Sequence, residues 1–168
     1  MGHRALVAYE QPDGTHTLHY SQWGALGFRL VEAITEATPF GPQEAVEPAP
    51  RETGLSLADI LTEHLDFLAH EACYLVSPDF EVTAYLPVWF GLETSDEVVG
   101  NGALIPVVFR DGEPVDVGYV EGWVDGAKAC LRAHREECGF TAETSQTFFE
   151  AALLEWFGEN CIVPQKRA

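Results

Sequence analysis

The chain has 168 residues and sets 27 Asp and Glu against nine Lys and Arg, a formal net charge of −18. That balance disfavours nucleic acid as a direct partner, because binding needs cationic side chains to displace the phosphates' counterions, and no apolar run approaches the ~20 residues of a membrane span. Four Trp, five Tyr and ten Phe within 46% hydrophobic content exclude an acidic disordered tail and allow a packed core.

The first element is a hairpin. Residues 4–10 (RALVAYE) read as a strand, Pro12-Asp13-Gly14 as turn chemistry, and residues 15–22 as the returning strand. A three-residue loop pairs Gln11 with Thr15, and this register sets Val7 against His19, Leu6 against Tyr20 and Ala5 against Ser21. One face then carries Leu6, Ala8, Leu18 and Tyr20. The other carries His3, Val7, Tyr9, Thr17, His19, Ser21 and Trp23, and a slip of one residue exchanges the two sets. Trp23, Leu26, Leu30 and Ile34 recur at helical spacing and predict a short helix over 25–36. Prolines at 39, 42, 48 and 50 make residues 37–53 an extended, mobile surface loop.

Ser56 and Asp59 have capping-box spacing, and Leu57, Ile60, Leu61, His64, Leu65 and Leu68 predict the buried stripe of the following helix. Residues 81–92 alternate like a strand, but Pro87 places them at an edge or a bulge. Residues 103–110 and 113–123 flank Asp111-Gly112, a type I′ signal that pairs Arg110 with Glu113. A helix over 125–138 stops at Gly139, and Thr141 caps a last helix reaching about Phe157. The order describes one α+β domain over residues 1–168: a mainly antiparallel sheet of about four to five strands, with two hairpins, under about four helices.

No motif names a reaction. Among the four cysteines, Cys130 and His134 stand four apart on a predicted helix, a spacing that can present two ligands to zinc; the plainer reading turns Val124, Ala127, Leu131, His134 and Cys138 toward the core, where free cysteine is commonly buried. His64 among leucines suits a general base in a cleft between helix and sheet, or an inward-facing histidine with one hydrogen-bond partner. The most suggestive set is His3, Tyr9, His19, Ser21 and Trp23. On the outer face of an antiparallel sheet alternating polar residues are ordinary, yet rings with polar edges suit recognition of a ligand ring or a partner's apolar patch. A serine nucleophile would need an elbow motif and a third member, and neither is visible. No glycine-rich phosphate cradle is present, so no cofactor is expected.

The carboxylates are spread along the whole chain, which favours salt adaptation over mimicry of a phosphate backbone. At ~1 M salt the Debye length falls to about 3 Å and screens self-repulsion. The N-terminus lacks a secretory pattern and the cysteines lack CxxC spacing, so reduced thiols and a cytoplasmic home are expected. The segments Met1-Gly2-His3-Arg4-Ala5-Leu6-Val7-Ala8-Tyr9-Glu10 and Leu18-His19-Tyr20-Ser21-Gln22-Trp23-Gly24-Ala25 resemble the start of a family of small haloarchaeal proteins of unknown function. That resemblance implies haloarchaeal origin and carries over no catalytic residue. The expected function is non-catalytic binding of a protein or small ligand through the hairpin face. The alternatives are a hydrolase-type enzyme with a histidine in a cleft and a zinc protein through Cys130 and His134.

Overall fold

The computed structural model describes residues 2–164. Its centre is a six-stranded mixed sheet, larger than the four to five strands expected, with strand order β3-β2-β1-β4-β5-β6. The strands are β1 (Ala5–Glu10), β2 (His16–Ser21), β3 (Glu52–Leu55), β4 (Ala72–Val76), β5 (Val82–Trp89) and β6 (Gly102–Pro106). β1, β2 and β3 form one antiparallel meander and β4, β5 and β6 another; the parallel pairing of β1 with β4 joins them. The first hairpin has the predicted register, with Val7 opposite His19 and the Gln11 amide donating to the Thr15 carbonyl at 2.7 Å.

Two strands escape the alternation rule. β4 (ACYLV) lies inside the sheet and is apolar almost throughout, as a strand covered on both faces must be. β3 is the edge strand in which the proline-rich segment ends. Pro87 is neither at an edge nor in a bulge, since β5 lies between β4 and β6. Its partner Leu104 directs its own amide and carbonyl to Ile162, so the Pro87–Leu104 pair is not hydrogen-bonded. The proline nitrogen therefore faces the β4 side, where pairing has already ended at Tyr85–Cys73. No ladder bond is lost there.

Both faces of the sheet carry an apolar core. Leu6, Ala8, Leu18 and Tyr20 pack with Ile60, Leu61 and Leu65 on one face. Ile60 and Leu61 lie in a π-turn over Ile60–His64 and Leu65 ends it; the π-turn continues α2 (Leu57–Asp59), which opens with the predicted Ser56–Asp59 capping box. The helix ends at Leu65, so Leu68 is exposed instead of completing the stripe. On the opposite face Ala5, Val7, Tyr74, Leu86, Val88 and Ile105 meet α1 (Leu30–Ala33), α3 (Val117–Ala133) and α5 (Ala142–Phe157).

The predicted 25–36 helix is cut to a 3₁₀ turn, Leu26–Phe28, followed by α1, because Gly27 and Phe28 take positive φ between them. The Asp111-Gly112 turn forms with φ of 53° and 79°, and Arg110 pairs with Glu113. The hairpin it closes is short: β7 (Val108–Arg110) and β8 (Glu113–Val115) form a separate ribbon. Residues 117–123 are the start of α3, not a strand. The alternation of Val115, Val117 and Tyr119 competes with the helical spacing of Val120, Val124 and Leu131, and burial of the latter three settles the outcome. α3 breaks at His134; α4 (Arg135–Cys138) then ends at Gly139 in the left-handed conformation. Thr141 accepts the Thr144 amide and caps α5.

Candidate functional site

The polar face of the first hairpin divides into two parts. In the interior, Tyr9, His19 and Ser21 meet the 37–53 segment, and each of the three places one polar atom against a backbone carbonyl of that segment. Tyr9 Oη donates to Pro39 O at 2.6 Å, Ser21 Oγ donates to Ala45 O at 2.6 Å, and His19 Nδ1 lies 2.9 Å from Glu47 O. The second ring nitrogen of His19 is 3.2 Å from Thr17 Oγ1. Its imidazole forms a triangle of rings with Tyr9, 5.0 Å away, and Phe40, 5.4 Å away, which are themselves 5.7 Å apart. Burial under this cover raises the Tyr9 phenol above its ordinary pKa.

The segment answers in kind. The Glu47 and Arg51 amides donate to Tyr20 O and Leu18 O, and Val46 is fully buried in the core. The expected mobile loop is thus an anchored strap along β2. The strap thus meets β2 with both kinds of backbone group: its amides bond β2 carbonyls, and its Pro39, Ala45 and Glu47 carbonyls lie against the polar atoms of Tyr9, Ser21 and His19.

At the end of the hairpin His3 and Trp23 remain outside, with ring centroids 6.2 Å apart. His3 Nδ1 lies 2.8 Å from Glu71 Oε2. Trp23 is 59% exposed and Leu26 49% exposed. Together with Arg29, Leu30, Ala33 and the strap residues 42–45 and 47 they line an open cleft of about 440 Å³. Gly24 lets the floor close: a Cβ there would stand 2.7 Å from both Leu30 Cδ1 and Ser21 Oγ. Tyr74, fully buried, donates to Gly24 O at 2.6 Å and fixes that floor to β4. The sequence points to the hairpin and its neighbouring loop but singles out neither Leu26 nor any residue of the strap, although helical spacing places Leu26 on one stripe with Trp23.

The remaining candidates lie elsewhere. His64 is half-buried at the end of the π-turn and has no hydrogen-bond partner among the described residues. Cys130 is exposed, and His134, 3.4 Å from Glu137 Oε2, and Cys138 are exposed instead of facing the core, because α3 breaks at His134, past its last buried position, Leu131. Among the described residues no group of three or more His, Cys, Asp or Glu could hold a metal ion. No described helix is long and apolar enough to cross a membrane.

The site belongs to an α+β protein with a both-sides-covered mixed sheet and a surface cleft built from the end of a hairpin and a strap. The chain belongs to a family of unknown function, DUF6735, whose sequence model matches residues 1–45 and 41–163. No curated protein and no solved structure matches it.

Proposed function

We propose that this protein is a non-catalytic binding domain of a salt-rich cytoplasm, and that its cleft receives a basic, apolar segment of a partner protein. The observation that carries this reading is the exposure of Trp23 and Leu26 in a cleft whose other side is the anchored strap. Trp and Arg are the residues most enriched where truncation weakens protein interfaces, and Trp23 and Arg29 stand together here. Glu44 and Glu47 line the same cleft, and the surrounding surface shares the charge of −18, so a partner with Lys or Arg beside its apolar anchor is the complementary one. High salt removes the long-range attraction, so the preference for a basic partner rests on close pairing of its cations with Glu44 and Glu47 inside the cleft, beside the apolar contact.

Salt adaptation rests on the dispersed carboxylates and on the resemblance to haloarchaeal proteins. The hydrolase alternative has less support: His19 has its ring nitrogens engaged by Glu47 O and Thr17, with no carboxylate among its hydrogen-bond partners.

The test uses labelled ten-residue peptides alternating Leu with Arg, or Leu with Asp, titrated into the full chain in 2 M KCl. Trp23→Ala and Leu26→Ala should each weaken the Arg–Leu peptide at least tenfold, while Thr83→Ala, remote from the cleft, should not. Equal binding of the Asp–Leu peptide, or binding indifferent to Trp23, would overturn the proposal. So would sedimentation as a dimer abolished by Trp23→Ala, because the occupant would then be a second copy.

A further inference from the structure

A second cleft, of about 410 Å³, opens where α3 begins and α5 ends, and it shares no residue with the first. It is lined by Asp116, Tyr119, Val120, Trp156 and Phe157. Three of these five are aromatic and one is a carboxylate.

The rings are close and differently oriented. The Tyr119 and Trp156 centroids are 6.3 Å apart with planes at 23°, and those of Trp156 and Phe157 are 6.5 Å apart with planes at 66°. One group in the cleft can therefore lie within the ~6 Å reach of a cation–π contact to more than one ring. Trp156 is backed by Trp123, 4.4 Å away, which in turn abuts the buried Phe149 at 6.1 Å, so the wall is packed from behind. Tyr119 is nonetheless 66% exposed and Trp156 46% exposed.

Asp116 precedes α3 with φ of 65° and does not cap it; its carboxylate has no hydrogen bond or ion pair among the described residues. The partial positive charge of the α3 N-terminus opposes a cation here. The full charge of Asp116 and the partial negative charge at the C-terminal turn of α5, which ends at Phe157, act the other way.

We propose that this cleft binds a methylated ammonium group, held by the faces of Tyr119, Trp156 and Phe157 and neutralised by Asp116. A quaternary ammonium carries its charge on a weakly hydrated, greasy surface, which suits π-faces. Potassium, small and firmly hydrated, fits such walls poorly and competes little even at molar concentration. The group could arrive on a small molecule or on a trimethylated lysine side chain, and the chemistry of recognition is the same.

Titration of the full chain with choline chloride in 2 M KCl, followed by tryptophan fluorescence and by proton–nitrogen NMR shifts of residues 116–120, tests it. Choline should bind in the millimolar range, and 3,3-dimethyl-1-butanol, its neutral isostere, at least tenfold more weakly. Asp116→Asn keeps a residue that tolerates the left-handed backbone and should weaken choline about fivefold with the melting temperature unchanged. Trp156→Ala should abolish the shifts. A peptide carrying trimethyl-lysine forms the second arm: tighter binding than choline assigns the source to a protein, and weaker binding assigns it to a small molecule. Equal affinity for choline and the neutral isostere, or no effect of Asp116→Asn, would overturn the proposal.

Discussion

Two aromatic-rich regions of this molecule treat their rings in opposite ways. At the hairpin, Tyr9, His19 and Phe40 interlock, and the polar atoms of Tyr9 and His19 meet strap carbonyls. On α3 and α5, Tyr119, Trp123, Phe148 and Trp156 are in ring contact, yet Tyr119, Phe148 and Trp156 keep 66%, 41% and 46% of their surface in water. The difference teaches that a polar aromatic residue is structural when a backbone carbonyl consumes its donor. It is available for recognition when the donor is left to solvent. By that criterion Tyr9 and His19 hold the strap, and the rings left to the two proposed clefts are the exposed ones, Trp23 beside the hairpin and Tyr119 and Trp156 on α3 and α5.

The contrast is sharpest in stability. His19→Ala removes one ring of the Tyr9–His19–Phe40 triangle and the hydrogen bond between its Nδ1 and Glu47 O, and should cost about 2–3 kcal/mol in 2 M KCl melts. Tyr119→Ala should cost less than ~0.5 kcal/mol, as expected away from buried features. Equal losses would erase the distinction between the regions.

A second difference concerns the one lysine among the described residues. Lys128 is buried on the sheet-facing side of α3, its ammonium 4.5 Å from the Trp89 ring centre. Burial, then the nearby Arg132, pull its pKa down to about 8, against the raising influence of Asp125 and Asp96. Between pH 8 and the ordinary lysine range the unfolded chain binds more protons than the folded one, so this group's contribution to stability rises with pH across that window. Lys128→Met should therefore stabilise the protein at pH 7, by at most ~2 kcal/mol after allowing for solvent near the charge. The gain should fade above pH 10, and a gain independent of pH would contradict the burial account.

Smaller still is the effect expected at the glycines of α3. Gly118, Gly122 and Gly126 lie one turn apart, and a Cβ at any of them would meet nothing within 4 Å. Gly122→Ala should stabilise by roughly 0.5–1 kcal/mol through the unfolded chain. A loss instead would mean that this helix face is packed against something.

Much of the hairpin region was legible in the sequence. Turn chemistry at Pro12-Asp13-Gly14 fixed the register, and the register fixed which side chains share a face. What the pattern could not reveal was that both faces are covered, because alternation of apolar and polar residues looks the same whether the polar side meets water or a strap of carbonyls. That is why Ser21 and His19 read as candidates for recognition and turn out buried at 1% and 4% exposure. The α3 region was harder. Glycines at 118 and 122 lower helix propensity, and the Asp-Gly turn just upstream favoured a longer hairpin. Only the tertiary burial of Val120 and Val124 decides for helix. β4 was lost for the converse reason, since a strand buried on both faces has no alternation to read.

The account rests most directly on the strap being held by the hairpin, because the strap is one wall of the Trp23 cleft. Native-state hydrogen exchange in 2 M KCl measures this at the amides of Glu47 and Arg51, which donate to the Tyr20 and Leu18 carbonyls of β2, and at Val46, whose bond to Phe40 O closes the strap's own turn. The account predicts protection of all three comparable to the β1–β2 ladder, falling by orders of magnitude at Glu47 and Val46 in His19→Ala. Exchange of these amides at the rate of an open loop in the unaltered protein would contradict it.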